Sequence, residues 1–266
     1  TMSKLVIANG KLPGGSGGAI LNQGTLTLTD STLSNNTAGS GGAIANTGTL
    51  TLSNSTVSNN SASTGSGGGI FSSGTLTLNN VTMTSNNAPA GNGGGLAASG
   101  FATLTTSSVK SNTALAGGGI HSGATLELNS STVSGNTASS TGGGGIFSSG
   151  TLTLNKSTIS GNTAAGGARG GGILNTGALA ATNTTISGNT ASSGGGLANA
   201  SSATLANATV ARNTATGGSG GGLVNDAGKT ATLRNTILAE NTGSAAPDCA
   251  GSLTSQGYNL VGTVAG

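Results

Sequence analysis

Side chains able to carry chemistry are few in this 266-residue chain: Asp30, Glu127, Asp226, Glu240 and Asp248, one histidine, His121, and one cysteine, Cys249. Cleaving a glycosidic bond takes two carboxyl groups flanking it, or a carboxylate beside a tuned base. Asp226 and Glu240 fall in one unit of the repeat described below, at different corners. Asp30 and Glu127 lie four units apart, about 19 Å at the ~4.8 Å spacing of stacked strands, and cannot share a bond. His121 and Glu127 share a unit, but no third residue is placed to orient the imidazole. Cys249 has no second cysteine to bond and is expected to pair outside the chain. No His/Cys/Asp cluster has metal-ligand spacing. The glycine runs lack the Lys-Ser/Thr of a phosphate-binding loop. The expectation is a protein that is not an enzyme and takes no cofactor; carbohydrate binding or cleavage involving Asp226 or Glu240 is one alternative.

Composition narrows the partners. Net charge is +3, and the cations Lys4, Lys11, Lys110, Lys156, Arg169, Arg212, Lys229 and Arg234 are scattered, whereas nucleic-acid binding needs them clustered to displace counterions. No run of about 18 apolar residues exists to cross a membrane, so neither nucleic acid nor membrane insertion by this chain is expected. With 52 glycines and 2% aromatics the chain could pass for a flexible linker. Its apolar residues, however, return in phase from end to end.

That phase is marked by an asparagine three residues after an aliphatic side chain, at Asn9, Asn36, Asn60, Asn86, Asn112, Asn136, Asn162, Asn189, Asn213 and Asn241. Before it comes a glycine pair or triple followed by Ile or Leu, as at Ile44 and Ile120. From that Ile or Leu to the next Asn is 16 residues in the first eight units and 18 in the ninth, while the return from Asn to the next Ile or Leu takes 8 to 11. A rigid block alternates with a variable loop, which is the pattern of a solenoid.

Within a block, Thr49-Leu50-Thr51-Leu52 alternates strictly, as a strand with one buried face does. Ser55 and Val57 are next inward, at an odd offset that needs a corner near Ser53-Asn54. Further corners near Gly48 and at Asn60 close a coil of three strands. The chain is therefore expected to be all-β, a three-sided parallel β-helix of about nine to ten coils spanning residues 1–266. Residues 1–16 form a partial first coil with Val6 in the aliphatic slot, 17–241 the regular repeats, and 242–266 an atypical last coil. Leucine columns such as Leu26, Leu50, Leu76 and the wall Leu33, Val57, Met83, Val109 fill it, each side chain contributing roughly 1.5–3 kcal/mol on burial. The asparagines are expected at a left-handed corner, bonding the coils above and below as a structural ladder.

These residues resemble bacterial right-handed parallel β-helix repeat proteins, including the polymorphic outer-membrane protein family with its GGAI and FxxN repeats. Gly17-Gly18-Ala19-Ile20 and Gly41-Gly42-Ala43-Ile44 match the first motif; in Val57-Ser58-Asn59-Asn60 an aliphatic replaces the aromatic of the second. Pro247-Asp248-Cys249-Ala250-Gly251 through Gly257-Tyr258-Asn259-Leu260 looks like the closing segment of secreted, surface-anchored relatives, which usually continue further, so the chain is expected to be a fragment or processed product. The resemblance implies a right-handed coil, export, and an extracellular or cell-surface place with structural or adhesive work, the partner being a host or neighbouring cell surface or a polysaccharide.

Two outward rows suggest surfaces. Thr25/Thr27, Thr49/Thr51, Thr75/Thr77 and Thr151/Thr153 resemble the Thr arrays of ice-binding solenoids, though Thr is favoured on any exposed strand and Phe101, Glu127, Ala178 and Ala180 interrupt them. The position after each Ile or Leu carries Leu21, Phe71, Phe147, Leu174 and Val224, an apolar row to be covered either by a loop or by lateral packing of another copy. No capping helix precedes Lys4, and open strand edges template further pairing. Homotypic assembly head to tail, and in part lateral, into an extracellular filament or surface layer is the expected function, with ice binding the other alternative.

Overall fold

The computed structural model describes residues 1–265; Gly266, the last residue of the expected C-terminal coil, lies outside them. Among these residues there is no α-helix. The strands form parallel sheets whose members recur once per coil. In coil order, sheet 1 holds strands such as Ile44–Asn46, sheet 2 Thr49–Ser53, sheet 3 Thr56–Ser58 and sheet 4 Ser61–Ala62. Sheets 1, 2 and 3 have 11 strands each and sheet 4 has 9. The result is a parallel β-solenoid of about 10 turns.

Four strands per coil replace the three read from the sequence. The fourth lies at the start of the stretch taken as variable loop, where each ladder asparagine is followed by one polar residue and an alanine: Asn36-Thr37-Ala38, Asn60-Ser61-Ala62, Asn112-Thr113-Ala114. That single small inward residue gives no alternation of large apolar side chains, so the strand escapes a periodicity test. Its alanines nevertheless form a buried column, with Ala38, Ala62, Ala88, Ala114 and Ala138 at most 1% exposed. At the last asparagine the pattern becomes Asn241-Thr242-Gly243, and there sheet 4 gives way to an isolated bridge between Thr214 and Thr242.

The core follows the columns. Leu50, Leu76, Ala102, Leu126 and Leu152 stack in register in sheet 2, and Leu33, Val57, Met83, Val109 and Val133 in sheet 3. All are fully buried. Each coil's apolar face closes only against its neighbours, as expected of a quasi-one-dimensional array. At the N-terminal end the same columns are only partly covered, at Leu5, Ile7, Ile20 and Leu26. Cys249 continues the Ile/Leu column of sheet 1, in register with Leu223 on one side and Val264 on the other, and is 0% exposed. It serves as a small apolar core residue, and not as a thiol presented for a disulfide outside the chain.

Candidate functional site

The most ordered polar feature is the asparagine ladder. Asn36 donates from backbone N and side-chain Nδ2 to Asn60 Oδ1, at 2.9 and 3.0 Å, and Asn60 does the same to Asn86. The double bond repeats through Asn112, Asn136, Asn162, Asn189, Asn213 and Asn241. Each Nδ2 also donates to a carbonyl one coil back, as Asn112 does to Met83 O. These side chains are buried and saturated with protein partners, so their chemistry is spent on joining coils.

Two corrections follow. Asn9 is not a rung: Ile7, and not Val6, pairs with Leu33, which sets Asn9 beside Asn35 and puts Gly10 in the ladder position, its N–H donating to Asn36 Oδ1. The first coil is thus offset by one residue from the aliphatic-x-x-Asn alignment. Nor do the ladder asparagines take the left-handed conformation. The preceding residue does, with φ of 56° at Asn35, 55° at Asn59 and 56° at Ser85, and Asn9 belongs to that column at 62°. The corner residue supplies the left-handed bend, which frees the next residue to turn its amide inward.

The sequence reading missed how the ladder ends. Asp248 Oδ1 accepts from Asn241 N and Nδ2, both at 2.9 Å, and Oδ2 accepts from Thr263 N at 2.7 Å. An asparagine passes the chain of bonds on, because it donates and accepts; an ionised carboxylate only accepts and so terminates it. Its neighbour Cys249 has its thiol pushed up to about 12 by burial, with the Asp248 charge adding to the effect. Two shorter asparagine runs sit at the sheet 1–sheet 2 corner, Asn22 to Asn46 and Asn175 to Asn199, both 2.7 Å, separated in the column by Ser72, Ala98, Ser122 and Ser148.

The carboxylates considered for cleavage are dispersed into pairings. Asp226 makes an ion pair with Arg169, across more than one coil, and Glu240 an exposed one with Arg212 at 3.1 Å; Asp30 accepts from Asn54. No group of three or more His, Cys, Asp or Glu able to hold a metal ion occurs among the described residues.

On the outside, Thr25, Thr49, Thr75 and Thr151 are exposed and Thr27, Thr51, Thr77 and Thr153 half-buried. The first three pairs are adjacent in register, but Phe101 lies in register with Thr75's column and Glu127 with Thr153. A longer hydroxyl face lies on sheet 3, unnoticed in the sequence. Its outer column reads Thr32, Thr56, Thr82, Ser108, Thr132, Thr158, Thr185 and Thr209 without a break. The signal was there, in the Thr-aliphatic-Ser triplets that begin at Thr32, Thr56, Thr132, Thr158 and Thr185. Toward the C-terminal end the face turns apolar, and Ile237, Ala239 and Leu260 with Arg212 and Glu240 line a groove of about 490 Å³.

The apolar row lies in one column of sheet 1, Leu21, Ala45, Phe71, Ala97, His121, Phe147, Leu174, Ala198 and Val224. Leu21 is 53% exposed; Phe71, Phe147 and Val224 are half-buried and Leu174 is buried. Residues from the variable segment, Ser66 and Asn92, stand against this column beside Phe71 and His121. His121 and Phe147 stack face to face, centroids 4.9 Å apart and planes within 3°. Burial holds the His121 imidazole below its ordinary pKa.

Comparison with known proteins adds one finding. Residues 30–47 match the model of the Chlamydia polymorphic membrane protein repeat. This span covers the sheet 3 strand Thr32–Ser34, the sheet 4 strand Thr37–Ser40 and the following sheet 1 strand, Ile44–Asn46, with the corners that join them. The match and the solenoid together fit a β-helix repeat protein of the polymorphic-membrane-protein type. No curated protein and no solved structure matches the chain.

Proposed function

We propose that this β-solenoid is a surface-associated structural protein that stacks end to end, the last coil of one copy pairing its strands with the first coil of the next. The repeat match supports surface association. The observation that carries the stacking is where apolar surface remains. Among the described residues, the strongly exposed large apolar side chains are Met2, Val6, Leu12 and Leu21 at one end, Ile237, Tyr258 and Leu260 at the other, and Phe101 between.

In sheet 3 the first and last strands belong to the same columns. Val6 opens and Leu260 closes the same outer column of sheet 3, and Ile7 and Val261 do so for the inner column. Continuing the sheet brings Leu260 of one copy over Val6 of the next and covers the half-buried core residues of both. Lys4 and Lys11 sit at the N-terminal end, where like charge opposes head-to-head contact. An adhesive role would use the long lateral faces of the resulting rod, and an extracellular place follows the same reading.

Electron microscopy of the purified 266-residue chain over a range of concentrations tests this. Filaments with an axial repeat of about 50 Å, ten to eleven strands at ~4.8 Å each, are expected, and Leu260→Lys should shorten them by placing a charge in the junction. Isolated rods at every concentration would remove the stacking proposal.

A further inference from the structure

The sheet 1 column carries rings at Phe71, His121 and Phe147 but an alanine at Ala97. Where rings occupy successive coils they stack, as His121 and Phe147 do at 4.9 Å. At Ala97 the stack has a missing ring. Phe71 and His121 flank that position one coil to either side, so about 9.6 Å separates them at ~4.8 Å per coil. The space is a cavity of about 150 Å³ lined also by Ala97, Ala98, Ser66, Asn92, Ser99 and Gly123, with Ala97 only 4% and Ala98 2% exposed.

We propose that this slot binds one neutral sugar ring, held between Phe71 and His121. Width selects the class. Carbon atoms in contact lie roughly 3.5–4.0 Å apart, so a flat aromatic ring touching one wall leaves a gap at the other. A pyranose is thicker, being puckered and bearing C–H bonds on both faces, and reaches both walls. The margin suits the same occupant: the Ser66 and Ser99 hydroxyls and the Asn92 amide can meet equatorial hydroxyl groups around the ring edge, each side chain offering both a donor and an acceptor. Ser66 Oγ already accepts from the backbone N–H of Asn92 at 3.1 Å, which leaves both the serine proton and the Asn92 side-chain amide free to meet a ligand.

Charge argues in the same direction. No Lys, Arg, Asp or Glu lines the cavity, and the desolvated imidazole stays uncharged at neutral pH, so neither an acidic sugar nor a phosphate finds a counter-ion there. The slot lies on the lateral face, away from both ends of the array. Its ligand and the end-to-end stacking stand or fall separately.

Saturation-transfer difference NMR of the full chain with methyl β-D-glucopyranoside and methyl β-D-galactopyranoside, and with phenol as a flat competitor, reads the binding directly. Transfer to the C–H groups of at least one glycoside is expected, with a Kd on the order of millimolar as for a small contact area. Phe71→Ala and His121→Ala should each weaken it about 3–10-fold through loss of one stacking wall. Ala97→Phe should abolish it, since the new ring fills the slot in the manner of Phe71 and Phe147, and circular dichroism would show the fold kept. Binding of phenol but of neither glycoside overturns the assignment of ligand class. No binding by either, or binding unaffected by Ala97→Phe, overturns the site.

Discussion

A ladder asparagine does two jobs that no other side chain of its size combines. In the middle of the array, Asn112 Oδ1 accepts two bonds from Asn86, while its Nδ2 donates to Asn136 Oδ1 and Met83 O. Truncation by Asn112→Ala leaves the Asn86 groups and Met83 O unmet in a dry interior, and about 1–3 kcal/mol is expected for each group left unsatisfied; chemical denaturation should show a loss of at least ~2 kcal/mol. At the ladder's end the requirement is reversed. Asp248→Asn keeps an oxygen for Asn241 but turns an N–H donor toward the Thr263 N–H, so it too should destabilise, although the same exchange would look conservative by size. Equal stability of Asp248→Asn and the parent chain would show that the carboxylate is not what closes the ladder.

Elements differ in how plainly they are written. The sheet 2 strands, with Thr49-Leu50-Thr51-Leu52 alternating, and the wall residues of sheet 3 are legible because each buried position holds a large aliphatic. Sheet 4 is not, because alanine at Ala62 or Ala114 carries little hydrophobic signal, and the offset of the first coil is hidden by Asn9, which copies the spacing of a rung while lying one residue early. The candidate surfaces were legible as columns but not as neighbourhoods: the sequence gives the order Phe71, Ala97, His121, and only the folded chain shows Ser66 and Asn92 beside them. Glycine is similarly divided. At Gly118, between sheets 4 and 1, an added Cβ would lie 2.3 Å from the Thr137 carbonyl carbon and 2.5 Å from Gly144 O, backbone atoms of the next coil. At Gly24 it would meet nothing within 4 Å. Gly118→Ala should therefore cost about 1–3 kcal/mol or more through overpacking, while Gly24→Ala should be neutral or gain a few tenths of a kcal/mol, at most about 1, from a less flexible unfolded chain. A matched pair of thermal melts checks both.

For the whole molecule, stability is a sum of coils and of the interfaces between them, so it cannot be uniform. An interior coil has neighbours on both sides and its Leu104, Val109 and Ile120 are fully buried, whereas Ile7, Ile20 and Leu26 at one end and Leu253 and Val261 at the other are only partly covered. Local opening follows such differences in coverage. In isolated rods, backbone amides of the strands Val6–Ala8 and Leu260–Val261 should exchange with solvent much faster than those of Ser108–Lys110 in the same sheet. Stacking makes a sharper demand. If a last coil docks on a first coil, each junction covers one edge of either kind, so protection must rise at both ends together as concentration increases, and not at all in the middle. Lateral association would instead slow exchange along one face in every coil. Hydrogen exchange followed by mass spectrometry at low and high concentration separates the two, and protection gained at one end alone would mean that the end coils bind something other than each other.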